Sequence, residues 1–229
     1  MTIQALILCG GKGERLQPFT SNLPKPLVEI KGKSILGYII EHISVPEIDK
    51  ITVATGYMSE KISKYLEENH SKLNISVSDQ GDVDILARII SILPTIKTDF
   101  ILLYGDTISD VNLIDLIKFS KKRKESVTVT LWPLKSQFGV LETDENNKVI
   151  SYAEKPILNK WINIGYIYFK KKSFSLIRES KTFEAFLNNL VDQKELAGFK
   201  HKGHHITVNT LKELKDAEAQ ILNIKNSRK

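Results

Sequence analysis

The sequence predicts an α/β protein, folded as a three-layer sandwich around a mixed, mainly parallel central sheet. In the first half, apolar strand-like runs alternate with helix-like segments of 3.6-residue periodicity, which is typical of parallel strands covered by helices. In the second half, short strand-like runs are separated by turn residues, which predicts antiparallel pairing. Such a sheet places its ligand crevice at the carboxyl ends of the parallel strands.

Hydrophobic periodicity and turn residues give the individual elements. Strands are predicted at residues 3–9, 50–54, 73–77, 100–104, 127–132, 138–143, 149–153 and 163–169. Helices are predicted at residues 34–43, 59–69, 84–92, 113–120, 183–190 and 211–224, and the last two bracket a final pair of strands. Ser34 is expected to cap the first helix. The polar tail over residues 223–229 is expected to fray.

Length and composition favour one globular unit. The chain has 229 residues, 41% of them hydrophobic, and shows no internal repeat, so residues 1–229 are predicted to form a single domain. Lys and Arg number 33 against 27 Asp and Glu, and this formal charge of +6 suits nucleic acid, anionic lipid or phosphorylated small molecules without choosing among them. The basic stretches at residues 121–124 and 170–172 are interpreted as solvated faces, so no nucleic-acid partner is predicted.

The cysteine content and the N-terminal residues bear on the compartment. Cys9 is the one cysteine, which excludes an internal disulfide framework and a zinc site of several thiolates, and it is interpreted as a small structural residue. The apolar run over residues 3–9 is too short to span a membrane and lacks the pattern of a signal peptide. The sequence therefore predicts a cytoplasmic protein without a membrane partner.

A glycine-rich loop after the first predicted strand carries the first indication of phosphate chemistry. Gly10, Gly11 and Gly13 let backbone amides approach phosphate oxygens without obstruction by a Cβ atom. Arg15 and Lys25 add cationic groups, the first as a planar fork and the second as a compact charge. The glycines alone could form an ordinary turn, but together with the two cations they predict a cradle for a triphosphate.

Two other glycine motifs do not fit the chain. A dinucleotide-binding loop would need its third glycine at Leu16. The tripeptide Gly32-Lys33-Ser34 ends like a P-loop, but the glycine required five residues earlier is Leu27. Neither type of nucleotide loop is therefore predicted.

Three later positions have both a functional and a structural interpretation. Asp106 follows a buried apolar strand, so it either holds Mg²⁺ against a nucleotide or caps the next helix. Glu154-Lys155-Pro156 follows a strand and is by itself an exposed turn. Asn163 begins a strand, where its amide could recognise hydroxyl groups.

Taken in order, these motifs resemble the signature of the sugar-phosphate nucleotidyltransferase family. The resemblance covers nearly the full length and rests on Gly10-Gly11-x-Gly13-x-Arg15-Leu16-x-Pro18, Pro24-Lys25-Pro26-Leu27, Tyr104-Gly105-Asp106, Glu154-Lys155-Pro156 and Asn163-x-Gly165. It implies a Rossmann-like fold, dependence on Mg²⁺, and in-line attack by a substrate phosphate on the α-phosphorus of a nucleoside triphosphate.

The resemblance also implies roles for individual residues. Arg15 and Lys25 would be catalytic through the phosphates, Asp106 and Asn209 occupy the metal positions, and Lys155 would bind the phosphate of the acceptor. The residues expected to bind the nucleotide are Leu8, Gly10, Gly11, Gly13, Arg15, Lys25, Gln80, Gly81 and Asp106. The residues expected to bind the acceptor are Gly105, Glu154, Lys155 and Asn163.

Within the family, the pattern is most similar to that of glucose-1-phosphate cytidylyltransferases, through residues 138–141 and the spacing to the C-terminal strands. Two departures stand out. Leu86 and Ala87 occupy positions where that branch has small glycines, and Asn209 occupies a position where the family usually has a second metal-binding aspartate. Asparagine brings no negative charge, so the metal site would depend on Asp106, or activity would be weak or lost.

The predicted function is the joining of a nucleoside triphosphate, with CTP favoured, to a sugar 1-phosphate or a similar phosphorylated metabolite, with release of pyrophosphate. Guanylyl- or thymidylyltransferase activity and a catalytically silent nucleotide-binding regulatory protein are the alternatives. The glycine-rich loop disfavours a glycosyltransferase. Assembly as a homo-oligomer stays open.

Several remaining polar residues are given structural interpretations. Asp110 is expected to be a helix-start residue. His201, His204 and His205 are expected on the surface and not at a metal, because adjacent residues of a strand point to opposite faces.

Overall fold

The computed structural model describes residues 2–227 and follows the predicted alternation of strands and helices. The strands are β1 (Ile3–Cys9), β2 (Glu29–Ile30), β3 (Lys33–Ser34), β4 (Ile48–Thr55), β5 (Ile75–Asp79), β6 (Phe100–Tyr104), β7 (Thr107–Ser109), β8 (Val127–Lys135), β9 (Val140–Thr143), β10 (Val149–Ala153), β11 (Ile157–Phe169), β12 (Leu196–Lys200) and β13 (His205–Thr207). The α-helices are α1 (Ile35–Ile43), α2 (Ser59–His70), α3 (Ile85–Ile92), α4 (Leu113–Lys122), α5 (Phe174–Glu179), α6 (Phe183–Asp192) and α7 (Leu211–Ser227). Short 3₁₀ helices lie at Glu14–Leu16, Lys25–Leu27, Leu93–Thr95 and Lys171–Ser173.

Seven of the described strands form one sheet in the order β12-β8-β11-β6-β1-β4-β5. β1 lies in the middle of the parallel part and pairs Leu8 with Ala54 of β4 and with Tyr104 of β6. β11 runs antiparallel to both β6 and β8, and β12 runs parallel to β8. The mixed, mainly parallel sheet predicted from the sequence is confirmed. Helices cover β1 and β6 on both faces, which explains their continuous apolar runs.

Helices on the two faces of the sheet complete three layers. Alternate residues of a strand point to opposite faces. Ile7 and Leu103 accordingly belong to a core cluster that includes buried residues of α1, α2, α4 and α7. Leu6 and Leu102 belong to a second cluster with buried residues of α3, α5 and α6. The predicted three-layer sandwich is therefore confirmed.

The starts of the helices agree with side-chain chemistry. Ser34 Oγ accepts the backbone N–H of Gly37 at 2.9 Å, which confirms the predicted cap of α1. Asn112 caps α4 in the same way. Asp110 therefore lies before the cap, and its interpretation as a helix-start residue is wrong. Its carboxylate instead accepts the backbone N–H of His204 at 2.6 Å.

Two expectations about the C-terminal part are wrong. The last two strands do not pair with each other, because β12 extends the main sheet beside β8 and β13 pairs with the short strand β7. The chain also does not fray from residue 223, because α7 continues to Ser227 and both Ile221 and Ile224 are buried. Residues 228–229 of the expected tail lie outside the described residues.

No helix within residues 2–227 is both long and apolar enough to cross a membrane.

Candidate active site

An open cleft of about 780 Å³ lies at the carboxyl ends of β1 and β6, where the ligand crevice is predicted. Eight of the predicted site residues line it together with Asn209, namely Leu8, Gly10, Gly11, Gly13, Arg15, Lys25, Gly105 and Asp106. Its described lining does not include the other predicted site residues, namely Gln80, Gly81, Glu154, Lys155 and Asn163. The structure thus brings the phosphate and metal positions together with Gly105, and it leaves the other three acceptor positions outside the cleft lining.

Glycine shapes the loop after β1 where a side chain would collide. Gly13 has a φ of +66°, and a Cβ atom there would lie 2.9 Å from the Cβ atom of Lys25. Thr20 Oγ1 donates to the Gly13 carbonyl at 2.8 Å. The loop therefore packs directly on the segment that carries Lys25, and both Arg15 and Lys25 reach the same cleft.

Lys25 connects two segments that are remote in the sequence. Its Nζ donates to Asp106 Oδ2 at 2.6 Å and to Asn209 Oδ1 at 2.7 Å. Arg15 Nη2 also donates to Asn209 Oδ1, at 3.3 Å. The side chains of Lys25 and Asp106 are 12% and 28% exposed, so water screens their ion pair only in part. These four residues are called the polar cluster below.

A short ribbon of β7 and β13 places Asp106 beside Asn209. The two strands are antiparallel and pair Thr107 with Thr207. Next to this pair, the backbone N–H of Val208 donates to the Asp106 carbonyl at 3.1 Å. The element that follows Asp106 is therefore a strand, and Asp106 does not cap a helix.

The start of α7 fixes the backbone of Asn209. Glu213 Oε2 accepts the N–H groups of Asn209 at 2.7 Å and of Thr210 at 2.9 Å. Thr210 Oγ1 in turn accepts the N–H of Glu213 at 3.2 Å, which completes a capping box. The backbone N–H groups of Asn209 and Thr210 are thus both satisfied, and the fixed backbone directs the Asn209 side chain toward Lys25 and Arg15.

The oxygen atoms of the polar cluster fit a magnesium ion that takes most of its ligands from water and phosphate. Asp106 supplies a carboxylate and Asn209 an amide oxygen. Residues 2–227 contain no group of three or more His, Cys, Asp or Glu side chains that could hold a metal ion. Mg²⁺ is commonly bound through one or two carboxylates and the phosphates of a substrate. Since Asn209 Oδ1 already accepts hydrogen bonds from two cations, Asp106 is the stronger candidate ligand.

Residues 79–83 form a tight loop beside the cleft. The backbone N–H of Gln80 donates to the Thr55 carbonyl at 3.2 Å, and Gln80 Nε2 donates to Ser78 Oγ at 2.6 Å. Gly81 has a φ of +64°, and its N–H donates to the Asp79 carboxylate at 2.9 Å. Gln80 and Gly81 are thus held next to the cleft, although neither lines it.

Arg88 on α3 also lines the cleft, and the sequence predictions lacked it. Its side chain is buried under the glycine-rich loop, since a Cβ atom at Gly10 would lie 2.2 Å from Arg88 Cζ. Burial lowers the pKa of Arg88, and the charge of Asp79 acts in the opposite direction. The available signal was a cation within the apolar stripe of α3, beside Ile89 and one turn before Ile92.

Tyr104 separates the predicted acceptor residue Asn163 from the cleft. Asn163 makes a side-chain hydrogen bond to Tyr104, and its Oδ1 accepts the N–H of Gly165 at 2.9 Å. Gly165 has a φ of +75°, and a Cβ atom there would lie 2.4 Å from the Tyr104 ring. Burial raises the pKa of Tyr104, and the charge of Asp106 adds to this effect. Asn163 therefore supports Tyr104, which itself lines the cleft.

Glu154 and Lys155 lie on an exposed turn between β10 and β11. Lys155 has a φ of +47°, and its Nζ lies 3.7 Å from Glu154 Oε1. The hydroxyl of Tyr152 donates to Glu154 Oε2. The turn is outside the described lining of the cleft, and the role of Lys155 toward the acceptor phosphate stays a prediction.

The expectation of three surface histidines holds for His204 alone. His201 Nε2 lies 3.0 Å from Asp110 Oδ1, and the two side chains are 10% and 6% exposed. Burial lowers the pKa of His205 to about 4, with a further contribution from His201. These side chains therefore support the ribbon of β7 and β13 from inside, and the surface assignment of His201 and His205 is wrong.

Comparison with known proteins gives the class to which this fold and cleft belong. The sequence pattern of the family described as Nucleotidyl transferase matches residues 4–220. The chain belongs to this family. The family and the Rossmann-like fold implied by the sequence motifs are thereby confirmed.

Individual relatives cover the chain to different extents. Bifunctional protein GlmU of Methanocaldococcus jannaschii is 34% identical over 212 residues, which are 88% of this chain and 50% of that protein. The Bacillus subtilis (strain 168) protein named "Probable glucose-1-phosphate cytidylyltransferase" is 31% identical over 239 residues, with 93% of each chain covered. The chain thus spans half the length of the GlmU relative and nearly all of the second one.

Solved structures share the fold. The crystal structure of HddC from Yersinia pseudotuberculosis, complexed with GMP-PN, has a TM-score of 0.74 against this chain at 19% sequence identity. The likeness covers 96% of this chain and 100% of that one. Similarity of this kind shows that the architecture is common to both proteins.

Proposed function

We propose that this chain joins a nucleoside triphosphate, with CTP preferred, to a sugar 1-phosphate or a similar phosphorylated metabolite and releases pyrophosphate. The observation that carries the proposal is the contact of Lys25 with both Asp106 and Asn209 beside the glycine-rich loop. Cationic donors and a carboxylate meet at one end of an open cleft. Enzymes that transfer phosphoryl or nucleotidyl groups depend mainly on such positioning and charge neutralisation.

The residues of the polar cluster suit an in-line displacement. The acceptor phosphate attacks the α-phosphorus of the nucleotide, and the bond to the leaving pyrophosphate breaks on the opposite side. Negative charge grows on the leaving group, where Arg15 and Lys25 are placed to neutralise it. The amides of Gly10 and Gly11 add donors that need no side chain. No nucleophile from the protein is required, because the acceptor phosphate is already ionised near neutral pH.

Magnesium is part of this proposal. Asp106, the amide oxygen of Asn209 and the phosphates of the nucleotide would hold it, and the ion would neutralise phosphate charge. Lys25 would then be shared between Asp106 and the triphosphate. The cytoplasmic location, the single domain and the acceptor roles of Glu154 and Lys155 belong to the same proposal and rest on the sequence motifs.

The preference for CTP is supported by the likeness to the Bacillus subtilis protein, which extends over 93% of both chains. Thymidylyl- or guanylyltransferase activity is the alternative for the base. Asn209 motivates a second kind of function, a silent nucleotide-binding protein, because it replaces a charged ligand by a neutral one.

Pyrophosphate release tests these possibilities directly. CTP, UTP, dTTP and GTP are each combined with Mg²⁺ and a set of sugar 1-phosphates that includes glucose 1-phosphate. We expect the highest kcat/KM with CTP, and we expect the exposed-lysine variant Lys64→Ala to match the wild type. A higher kcat/KM with dTTP or GTP would replace the assignment of the base. Nucleotide binding without turnover for every pair would establish the silent function instead.

A further inference from the structure

Arg88 joins three segments that surround one side of the cleft. Its Nη1 donates to the Thr55 carbonyl at the end of β4. Its Nη2 donates to the carbonyls of Gly81 at 2.9 Å and of Val83 at 3.2 Å. The same guanidinium lies against the backbone of Gly10, at the start of the glycine-rich loop. One side chain therefore bonds to the end of β4 and to the loop over residues 79–83, and it packs against the loop that follows β1.

The environment of Arg88 shows what holds it in place. Arg88 is 4% exposed and lies on α3, one of the helices whose buried apolar residues form the second core cluster. None of the ion pairs found among residues 2–227 involves Arg88. A buried guanidinium is costly unless its N–H groups have acceptors. The backbone carbonyls supply those acceptors, and Arg88 in return fixes the direction in which the carbonyls point.

The packing around this junction leaves no room for a side chain at Gly56. A Cβ atom at Gly56 would lie 2.4 Å from the Gly81 carbonyl oxygen, 3.0 Å from Arg88 Nη2 and 3.1 Å from the Gly10 carbonyl oxygen. The Thr55 carbonyl accepts from both Arg88 and the N–H of Gln80. The position of Gln80 is consequently coupled to that of the buried guanidinium.

We propose that Arg88 is a positioning residue for the nucleoside half of the nucleotide, through its hold on residues 80–83, which include the predicted nucleotide-binding residues Gln80 and Gly81. The inference rests on the proposed function for the nature of the ligand and extends it to how the base and ribose are selected. Arg88 acts through the loop over residues 79–83, whereas the glycine-rich loop, Arg15 and Lys25 serve the triphosphate. Loss of Arg88 should therefore weaken recognition of the nucleoside and leave recognition of the phosphate chain intact.

Isothermal titration of Arg88→Leu with CTP, UTP, dTTP, GTP and inorganic tripolyphosphate tests this division. For the nucleotide that the wild type binds most tightly, we expect the Kd to rise by at least about tenfold, as for the loss of one or two buried hydrogen bonds. The ratio of Kd values between the best and the next nucleotide should fall, and the Kd of tripolyphosphate should stay the same. Arg178→Leu, which removes an exposed arginine from α5, should bind like the wild type.

An equal loss of affinity for nucleotides and tripolyphosphate would overturn the inference, because it would show that Arg88 acts through its charge. Unchanged nucleotide affinity and selectivity would overturn it as well. If the wild type does not bind tripolyphosphate measurably, the selectivity among nucleotides decides. Gly56→Ala perturbs the same junction from β4 and should lower selectivity even where Arg88→Leu fails to fold; an unaltered selectivity in that variant would contradict the inference.

Binding and turnover separate this inference from the function on which it rests. A wild type that binds nucleotide but releases no pyrophosphate would overturn the proposed reaction, while the titration would still decide the role of Arg88. A wild type that binds none of the four nucleotides would overturn both.

Discussion

Lys25 Nζ lies 2.7 Å from Asn209 Oδ1, although the two residues are 184 positions apart in the chain. Asp106 contacts the same ammonium group at 2.6 Å and is the one carboxylate in the polar cluster. An aspartate at position 209 would place a second carboxylate against Lys25 and Arg15. With asparagine there, the cluster keeps one more unit of positive charge for a phosphate ligand, and it offers less to a metal ion.

The variant Asn209→Asp tests this balance. A charged oxygen is a better ligand for Mg²⁺ than an amide oxygen, so the half-saturating Mg²⁺ concentration in pyrophosphate release should fall, and turnover at low Mg²⁺ should hold or rise. Asn188→Asp, an exposed position on α6, is the charge-matched control. A half-saturating concentration that is unchanged or higher in Asn209→Asp would reject position 209 as a metal-ligand position.

Removal of either cation of the polar cluster should lower turnover without loss of the fold. Lys25→Ala and Arg15→Ala each delete a donor aimed at phosphate, and we expect kcat to fall by at least about a hundredfold. Lys25→Ala should have the larger effect, because Lys25 makes the shorter contacts in the cluster. Initial rates and circular dichroism of the two variants measure this. Near-normal kinetics in both would rule out the triphosphate cradle.

Replacement of Asp106 should harm Mg²⁺-dependent turnover more than replacement of any other single carboxylate. Asp106→Asn removes the negative charge at the metal position, whereas Asp110→Asn alters a carboxylate that contacts His201 and the backbone of His204. The second variant should mainly lower the midpoint of urea unfolding. The assignment of the metal ligand is wrong if Asp110→Asn reduces kcat further than Asp106→Asn does.

His205 should make the fold sensitive to acid. Burial lowers its pKa in the folded protein to about 4, below its ordinary value of 6.5. The unfolded chain therefore takes up a proton between pH 6.5 and 4 while the folded chain does not. This contribution to stability is complete above pH 6.5 and is lost as the pH falls toward 4, by up to about 3 kcal/mol.

His205→Gln tests the acid sensitivity, because glutamine retains a polar side chain but does not titrate. Urea unfolding from pH 7 to pH 4 should show a flatter decline in the free energy of unfolding than in the wild type. The exposed His204→Gln variant should follow the wild type. Parallel declines in wild type and His205→Gln would show that another group carries the effect.

Local patterns in the sequence were sufficient for most of the architecture. β1 and β6 were predictable because buried parallel strands are continuous apolar runs, and α1 because Ser34 provides a cap for an apolar stripe. The ribbon of β7 and β13 was not predictable. Each strand has three residues, too few for a periodic signal, and its partner lies far away in the chain.

In the candidate site, too, residues in local motifs were predictable and residues defined by distant contacts were not. Gly10, Gly13 and Lys25 lie close together in the sequence, so one motif revealed them. Arg88 gave a weaker signal, since a charged residue in a helix is usually solvent-exposed, and its burial follows from contacts with three separate segments. The turn with Lys155 is the opposite case. Its motif is easy to recognise in the sequence, but a motif does not say how far a residue lies from the cleft.

The ribbon of β7 and β13 also brings together parts of the site that are synthesised at different times. The four parallel strands and the glycine-rich loop are encoded before residue 105, whereas Asn209 comes much later in the chain. Asn209 reaches Lys25 only after a loop of more than a hundred residues has closed, which is an entropically slow step. During synthesis, the residues of the four parallel strands and of the glycine-rich loop therefore leave the ribosome before Asn209, the residue that completes the phosphate site.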